Sequence, residues 1–379
     1  MQLFENIHID WLKRRKLFYI VSTALFLIGV FNVAFRGFQF GIDFKGGSEI
    51  VLQFDTAVNI SQVRSYVEKI GLGNIEIKTF GGETGVMVRT ELQEIPANLY
   101  PMVVANIDST IQTIYPGIPL SKVDSTSNSI TYEFSNTDTT SALASRLFAE
   151  GYQAGKVSEE PDNKRMIVNV GIADWVKENL KQRMPDNPFK VIKEDHVGPK
   201  VGKELKQDAV VAVIFSLIAI LVYLAFRFKF IFALGAVLAL FHDVLITLGL
   251  YAALYGVIPG LNLEIDLTVV AAFLTLVGYS VNDTVIVFDR VRENLKIHKT
   301  MPLMELINAS VNRTMSRTIL TGGTTLIATL VLLIFGGEVL RAFAFTLFFG
   351  IIIGTYSSIF VASALVLEYA NRSKKKVQF

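Results

Sequence analysis

The chain has 379 residues, of which 51% are hydrophobic and only 18% charged, with a mean hydropathy of +0.44. That is the composition of a membrane protein. A net charge of +2 is too small to argue for a nucleic-acid partner, and the absence of cysteine excludes disulfide frameworks and thiolate metal sites.

Lys13-Arg14-Arg15-Lys16 precedes an apolar run from Leu17 to Phe35. About 19 residues suffice for a ~30 Å hydrocarbon core. The run is long for a secretory signal and no small-residue cleavage motif follows it, so it predicts a retained helix behind a cytoplasmic N-terminus, residues 1–16.

Residues 36–206 change character and contain an internal repeat of strands and helices, about 48–115 and 128–195. In the first copy, Ile50–Phe54 alternates like a strand, Val58–Ile70 has helical spacing, and strands at 75–80 and 86–90 flank Gly81-Gly82. The second copy has strands near 130–134, 153–159 and 165–170 and a helix over 139–150, for which Asp138 is the expected cap. Pro161-Asp162-Asn163 supplies the turn. An amphipathic helix follows each copy: Pro101–Tyr115, with Val103, Val104, Ile107, Ile111 and Ile114 on one face, and Ala173–Met184, with Trp175, Val176 and Leu180. A strand at 189–192 leads back to the membrane. These features predict two tandem α+β modules of ferredoxin-like pattern, with no catalytic constellation in them.

Five more spans are expected within 207–370: Ala209–Phe226, Phe230–Tyr255, Leu267–Phe288, Thr318–Phe335 and Phe343–Leu367. Arg227-Phe228-Lys229 is a short basic turn, Pro259-Gly260 to Asp266 a polar loop, and 289–314 a basic linker with an amphipathic piece over 302–311. Residues 371–379 form a tail with Arg372 and Lys374-Lys375-Lys376. With six spans every basic segment falls on one side, where the positive-inside rule puts the cytoplasm. The architecture expected is therefore a six-helix membrane bundle with an α+β extracytoplasmic domain inserted between helices 1 and 2. Met and Phe stripes in the spans read as lipid-facing.

Ionisable residues inside the spans are few: His242, Asp243, Asp283 and Arg317. A carboxylate at the bilayer centre costs roughly 2.5–3.5 kcal/mol on insertion scales, so Asp283 reads as functional, a group that gains and releases a proton. At ~1.5 Å per residue it lies about 25 Å below Asp266, a depth that Arg317 reaches from the cytoplasmic side. Burial raises a carboxyl pKa and a nearby Arg lowers it, and passage between two such environments is what a relay needs. A static Asp283–Arg317 staple is the alternative. His242 reads equally well as a core histidine, while Asp243 leans to function. Ser280, Asn282 and Thr284 surround Asp283, and Gly278, Gly322-Gly323, Gly350 and Gly354 are small residues that allow close helix packing. No nucleotide-binding GxxxxGK[ST], no HExxH and no GxGD motif is present, which argues against an enzyme and a resident metal.

Phe40-Gly41-Ile42-Asp43-Phe44-Lys45-Gly46-Gly47 resembles the FGIDFxGG signature of the SecD/SecF protein-export family. Val197-Gly198-Pro199-Lys200-Val201-Gly202 is similar to its VGPxVG element, and 241–249, 264–294 and 312–325 look like the SecF branch. The resemblance implies a non-enzymatic subunit that pairs with SecD in a twelve-helix assembly similar to resistance-nodulation-division transporters. It would assist SecYEG and SecA, with YajC as a further partner, in drawing unfolded preproteins across the bacterial inner membrane. The proton-motive force would drive it, with sodium as a possible replacement ion and no cofactor. Its relay carboxylate and arginine match Asp283 and Arg317, and its His-Asp pair matches His242-Asp243. The family signature residues are Gly41, Asp43, Phe44, Gly46, Gly47, Gly198, Pro199 and Gly202. A proton-driven small-molecule exporter of the same superfamily and a static translocon scaffold are the competing functions. The second module, roughly 95–175, is expected to be an addition to the ordinary SecF plan.

Overall fold

The computed structural model describes residues 8–373, apart from 71, 73, 74, 93, 127, 150, 151, 159, 161, 259 and 260. The Lys374–Lys376 tail, the Pro259-Gly260 turn and Pro161 lie outside the described residues. Two compact units emerge, a membrane unit of residues 1–43 and 204–379 and an inserted unit of 44–203.

In the inserted unit the chain runs β1 (Gly47–Phe54), α3 (Ile60–Glu68), β2 (Ile75–Thr79), β3 (Gly85–Thr90), α4 (Tyr100–Ile114), β4 (Ser121–Ser125), β5 (Ser129–Glu133), α5 (Thr137–Ala149), β6 (Gln153–Lys156), β7 (Arg165–Asn169), α6 (Ile172–Arg183) and β8 (Phe189–Val197). Read along the chain these are two copies of β-α-β-β-α-β. Two antiparallel sheets form, ordered β2-β3-β1-β8 and β4-β5-β7-β6. The copies therefore exchange their closing pairs. β8, the last strand of the second copy, pairs with β1 from Gly47 opposite Val197 to Phe54 opposite Phe189. β4, absent from the sequence expectation, pairs with β5 across an irregularity between Lys122 and Asp124. The helices follow their strands. α4 is tied to the second sheet by Tyr132 OH donating to Asp108 Oδ1 (2.9 Å) and by the Lys122–Asp108 pair (2.5 Å). α6 packs on α3, and Trp175 Nε1 donates to Ile70 O (3.0 Å).

Exchange joins both sheets to one core, in which Ile50, Val88, Ile107, Tyr132, Met166 and Val176 are buried. β4 escaped detection because all five of its residues are exposed, which erases the alternation that marks a half-buried strand. The cap of α5 is Asn136, whose Oδ1 accepts from Thr139 N at 2.7 Å, and not Asp138, which lies in the first turn.

The membrane unit holds six helices long and apolar enough to cross a bilayer. They are α1 (Arg15–Arg36), α7 (Pro199–Arg227), α8 (Phe230–Leu254), α9 (Leu267–Ile297), α10 (Leu303–Phe335) and a sixth formed by α11 (Gly337–Ser357), a π turn (Ser358–Ala362) and α12 (Ser363–Ser373). α8, α9 and α11 pack together, with α1 on α8 and α10 against α9 and α11. α1 and α7 bury little of their apolar surface, whereas the sixth helix buries most of it. The basic segment expected as a linker over 289–314 is largely helical, because α9 and α10 extend through it and leave only residues 298–302 between them. The Phe stripes divide: Phe26, Phe31 and Phe35 are exposed, while Phe232, Phe288 and Phe345 pack inside the bundle.

α1 crosses α8 at a point where a Cβ on Gly29 would lie 2.8 Å from Gly249 Cα, so glycine is required on both helices. The segment after α1 adds a short helix, α2 (Ile42–Lys45), and docks on the start of α9. Gly41 N donates to Ile265 O and Ile265 N to Gln39 O, each at 2.8 Å. Two carboxylates meet the helix N-terminus, Asp43 accepting from Leu267 N (2.9 Å) and Asp266 from Val269 N (2.8 Å). The Gly46-Gly47 pair has positive φ (76° and 111°), and a Cβ on Gly47 would strike Thr90 O. Those contacts account for Gly46, Gly47 and Asp43 of the sequence signature.

Candidate functional site

Two buried carboxylates sit in the middle of the bundle. Asp283, on α9, is 2% exposed, and its one hydrogen bond is from Thr355 Oγ1 at 3.4 Å. Thr284 Oγ1 and Tyr279 OH beside it are buried without a partner. Arg317 is exposed on α10. Its charge acts on Asp283, but the two side chains form no ion pair. Asn282 is exposed on α9, and Ser280, one turn before Asp283, is buried. A carboxylate so sparsely bonded is poorly solvated when charged and well placed to take up a proton.

Asp243, on α8, is 1% exposed and richly bonded. Its Oδ2 accepts from Ser280 Oγ (2.6 Å, from α9) and from Ser357 Oγ (2.8 Å, from α11), and its Oδ1 lies 3.0 Å from His242 Nδ1. Gly354 makes the meeting of three helices possible, since a Cβ there would lie 2.9 Å from Ser280 Oγ and 3.5 Å from Asp243 Oδ2. His242 Nε2 lies 3.0 Å from Ser22 Oγ on α1, Ser22 bonds Tyr356 OH, and Tyr356 OH donates to Phe18 O at 2.8 Å. The π turn begins directly after Ser357, and Ser363 Oγ donates to Ser358 O (2.9 Å) within it.

Of the polar residues singled out in the sequence, the structure brings together His242, Asp243 and Ser280, while the partner of Asp283 is Thr355. Ser22, Thr355, Tyr356 and Ser357 were missed. Each is a polar residue inside an apolar span, a signal as strong as that of Ser280, but nothing in the linear order links α1 to α8 and α11.

The ends of α1, α10 and α12 nearest the N-terminal residues carry a further polar clamp. Asn312 Oδ1 accepts from Ile9 N (3.3 Å) and Trp11 Nε1 (2.8 Å), and Asn308 Oδ1 accepts from Leu12 N (3.1 Å). Arg15 pairs with Glu368 at 3.0 Å. Residues 9–12 are thus fixed to α10, the helix that carries Arg317.

Six spanning helices, an inserted unit of two small antiparallel sheets and intramembrane carboxylates at helix contacts define a polytopic membrane protein of the transporter type. Residues 176–372 match the family model for the C-terminal region of the protein export membrane proteins SecD/SecF, and residues 31–58 match the SecD/SecF GG motif. A protein translocase subunit SecF of Rhodothermus marinus is 38% identical over 98% of this chain and 97% of its own length. The SecF of Koribacter versatilis is 35% identical over 97% and 93%. The crystal structure of SecDF, a translocon-associated membrane protein from Thermus thermophilus, superposes with a TM-score of 0.64 at 31% identity, covering 98% of this chain and 40% of that one.

The chain belongs to the SecD/SecF family of protein-export membrane proteins, and the relatives it matches nearly end to end are SecF translocase subunits. It spans about two-fifths of the length of the SecDF chain. The alignment to these SecF subunits runs through residues 95–175, so the second module is shared with them.

Proposed function

We propose that this chain acts as a SecF-type accessory subunit of the Sec translocase. It pairs with SecD in the bacterial inner membrane and uses the proton-motive force to promote preprotein translocation and release. The reading carries no covalent chemistry and places both termini in the cytoplasm. SecYEG with SecA, and YajC, are the proposed neighbours, and unfolded preprotein on the outer side is the substrate. Family membership supports the translocase role. The observation that carries the coupling role is Asp283, buried to 2% exposure with a single 3.4 Å hydrogen bond and no ion pair to Arg317. A carboxylate held this way changes its protonation when its surroundings change, and one elementary charge crossing 100 mV is worth about 2.3 kcal/mol. Arg317, on the exposed side of α10, is the cation whose approach would expel the proton. Protons are the proposed coupling ion.

The test is Asp283→Asn in a strain lacking the native gene. Export stimulated by the proton gradient should fall to the level of the deletion, while the amount of protein in the membrane and its co-purification with SecD stay normal. Unchanged export with normal assembly would reduce the chain to a scaffold. Replacing the proton gradient with a sodium gradient in vesicles identifies the ion.

A further inference from the structure

Hydrogen-bond bookkeeping around His242 leads to a second site, distinct from Asp283. The chain of contacts has a fixed direction. Phe18 O has only lone pairs, so the hydroxyl hydrogen of Tyr356 must lie on the 2.8 Å contact between them. Tyr356 has no second hydrogen, so Ser22 donates to it. Ser22 is then spent as a donor, and the 3.0 Å contact with His242 Nε2 requires the imidazole to donate there. With Nε2 protonated, the 3.0 Å contact between His242 Nδ1 and Asp243 Oδ1 needs one more hydrogen, carried by either atom. The contacts are satisfied as a set when the pair holds one proton more than a neutral imidazole beside a carboxylate.

We propose that His242–Asp243 is a proton-carrying site, shown here loaded, and that Ser22 and Tyr356 link its occupancy to the seating of α1. Release of the proton to water leaves Asp243 as a carboxylate with Ser280, Ser357 and the Nδ1–H of His242 as donors. Nε2 becomes an acceptor, Ser22 turns its hydrogen to it, and Tyr356 turns its own toward Ser22. Phe18 O then loses Tyr356. A charge change at the centre of the bundle is thus transmitted to α1, which otherwise holds to α8 through the Gly29–Gly249 crossing. Among the described residues, Tyr356 from α11 is the titratable group that faces this pair, its ring 6.0 Å from that of His242. Among the described residues no Lys or Arg pairs with Asp243, so no fixed positive charge holds it ionised. Two hydroxyl donors on one oxygen allow the site to exist in either state, which a buried carboxylate with no donors would not.

The test is nitrogen NMR of the full chain in lipid vesicles with labelled histidine. The chain has four histidines, and His242→Gln assigns the signal. At neutral pH the Nε2 of His242 should be protonated, and on raising the pH it should lose its proton in one step. Tyr356→Phe removes the acceptor that holds the Ser22 hydrogen away from Nε2, so it should move that step about one unit toward lower pH, the size of one hydrogen bond, whereas Ser22→Ala takes a partner from Nε2 in both states and should move it less. Asp283→Asn should leave it in place, which separates this site from the relay proposed above. An unprotonated Nε2 at neutral pH overturns the proposal, as does a step indifferent to Tyr356→Phe, or one that Asp283→Asn moves equally.

Discussion

The inserted unit and the membrane unit both bury carboxylates, but they satisfy them differently. In the inserted unit Glu49, 3% exposed on β1, bonds Arg89 from β3 and Lys193 from β8 (3.1 Å), and Arg89 also reaches Glu76 at 3.3 Å. Its principal cation is fixed by the sheet register, Glu49 opposite Arg89. Such a cluster is built to stay charged. In the membrane unit Asp243 has hydroxyls and a histidine, and Asp283 has one distant hydroxyl. A permanent cation would lock the charge in place, whereas hydroxyls donate to a carboxylate and accept from a carboxylic acid with equal ease. The difference separates a structural ion pair from a group that can change state.

The comparison can be broken at several points. Arg89→Leu strands Glu49 with only the half-buried Lys193, and should destabilise the inserted unit by about 3 kcal/mol in denaturant melts of the full chain. Asp243→Ala deprives three donors of their acceptor, and at about 0.6 kcal/mol or more for each intramembrane bond it should cost about 2 kcal/mol of bundle stability. Asp283→Ala removes one weak bond and should cost under about 1 kcal/mol, while its effect on export is far larger. An equal loss of stability at Asp243 and Asp283 would remove the distinction between them.

The smallest effect is a pH dependence. Burial opposes ionisation of Glu76, but Lys78 and Arg89 outweigh it and hold its carboxyl below the usual range. Its contribution is complete above the unfolded value of about 4.3 and is lost as pH falls through the folded one. Burial likewise opposes the charge of Lys193, but Asp195 and Glu49 hold its pKa above the usual value. That contribution is complete below the unfolded value and is lost as pH rises through the folded one. Glu194 runs the other way, raised by burial and then by Asp174, so its ionisation opposes folding as pH rises. Trp175 fluorescence in a Trp11→Phe background should report a stability maximum between these limits, with an acid shoulder that Glu76→Gln removes.

Much of this architecture was legible in the sequence because apolar run length and the placement of Lys and Arg are one-dimensional properties. The six spans follow from them, and hydrophobic periodicity supplies the strands and helices of residues 47–197 other than β4. What escaped has a common cause. The exchange of α4–β4 for α6–β8 depends on which strands pair, and two copies of one pattern offer two solutions with the same local order. The network at Asp243 joins residues 22, 242, 280 and 357, which are far apart in sequence and lie on four helices. The Asp283–Arg317 staple fails for a geometric reason, since equal depth on neighbouring helices says nothing about which face Arg317 takes.

The β1–β8 ladder sets how the inserted unit responds to tension. Its two strands are the first and last of the unit, and they pair with Gly47 opposite Val197 at one end and Phe54 opposite Phe189 at the other. A load that separates Gly47 from Val197 would open the ladder one rung at a time, like a zipper, without shearing all rungs together. Because β8 closes a sheet begun some 140 residues earlier, parting it from β1 also uncovers the core shared by both modules. A single seam is therefore the mechanical fuse of the whole inserted unit.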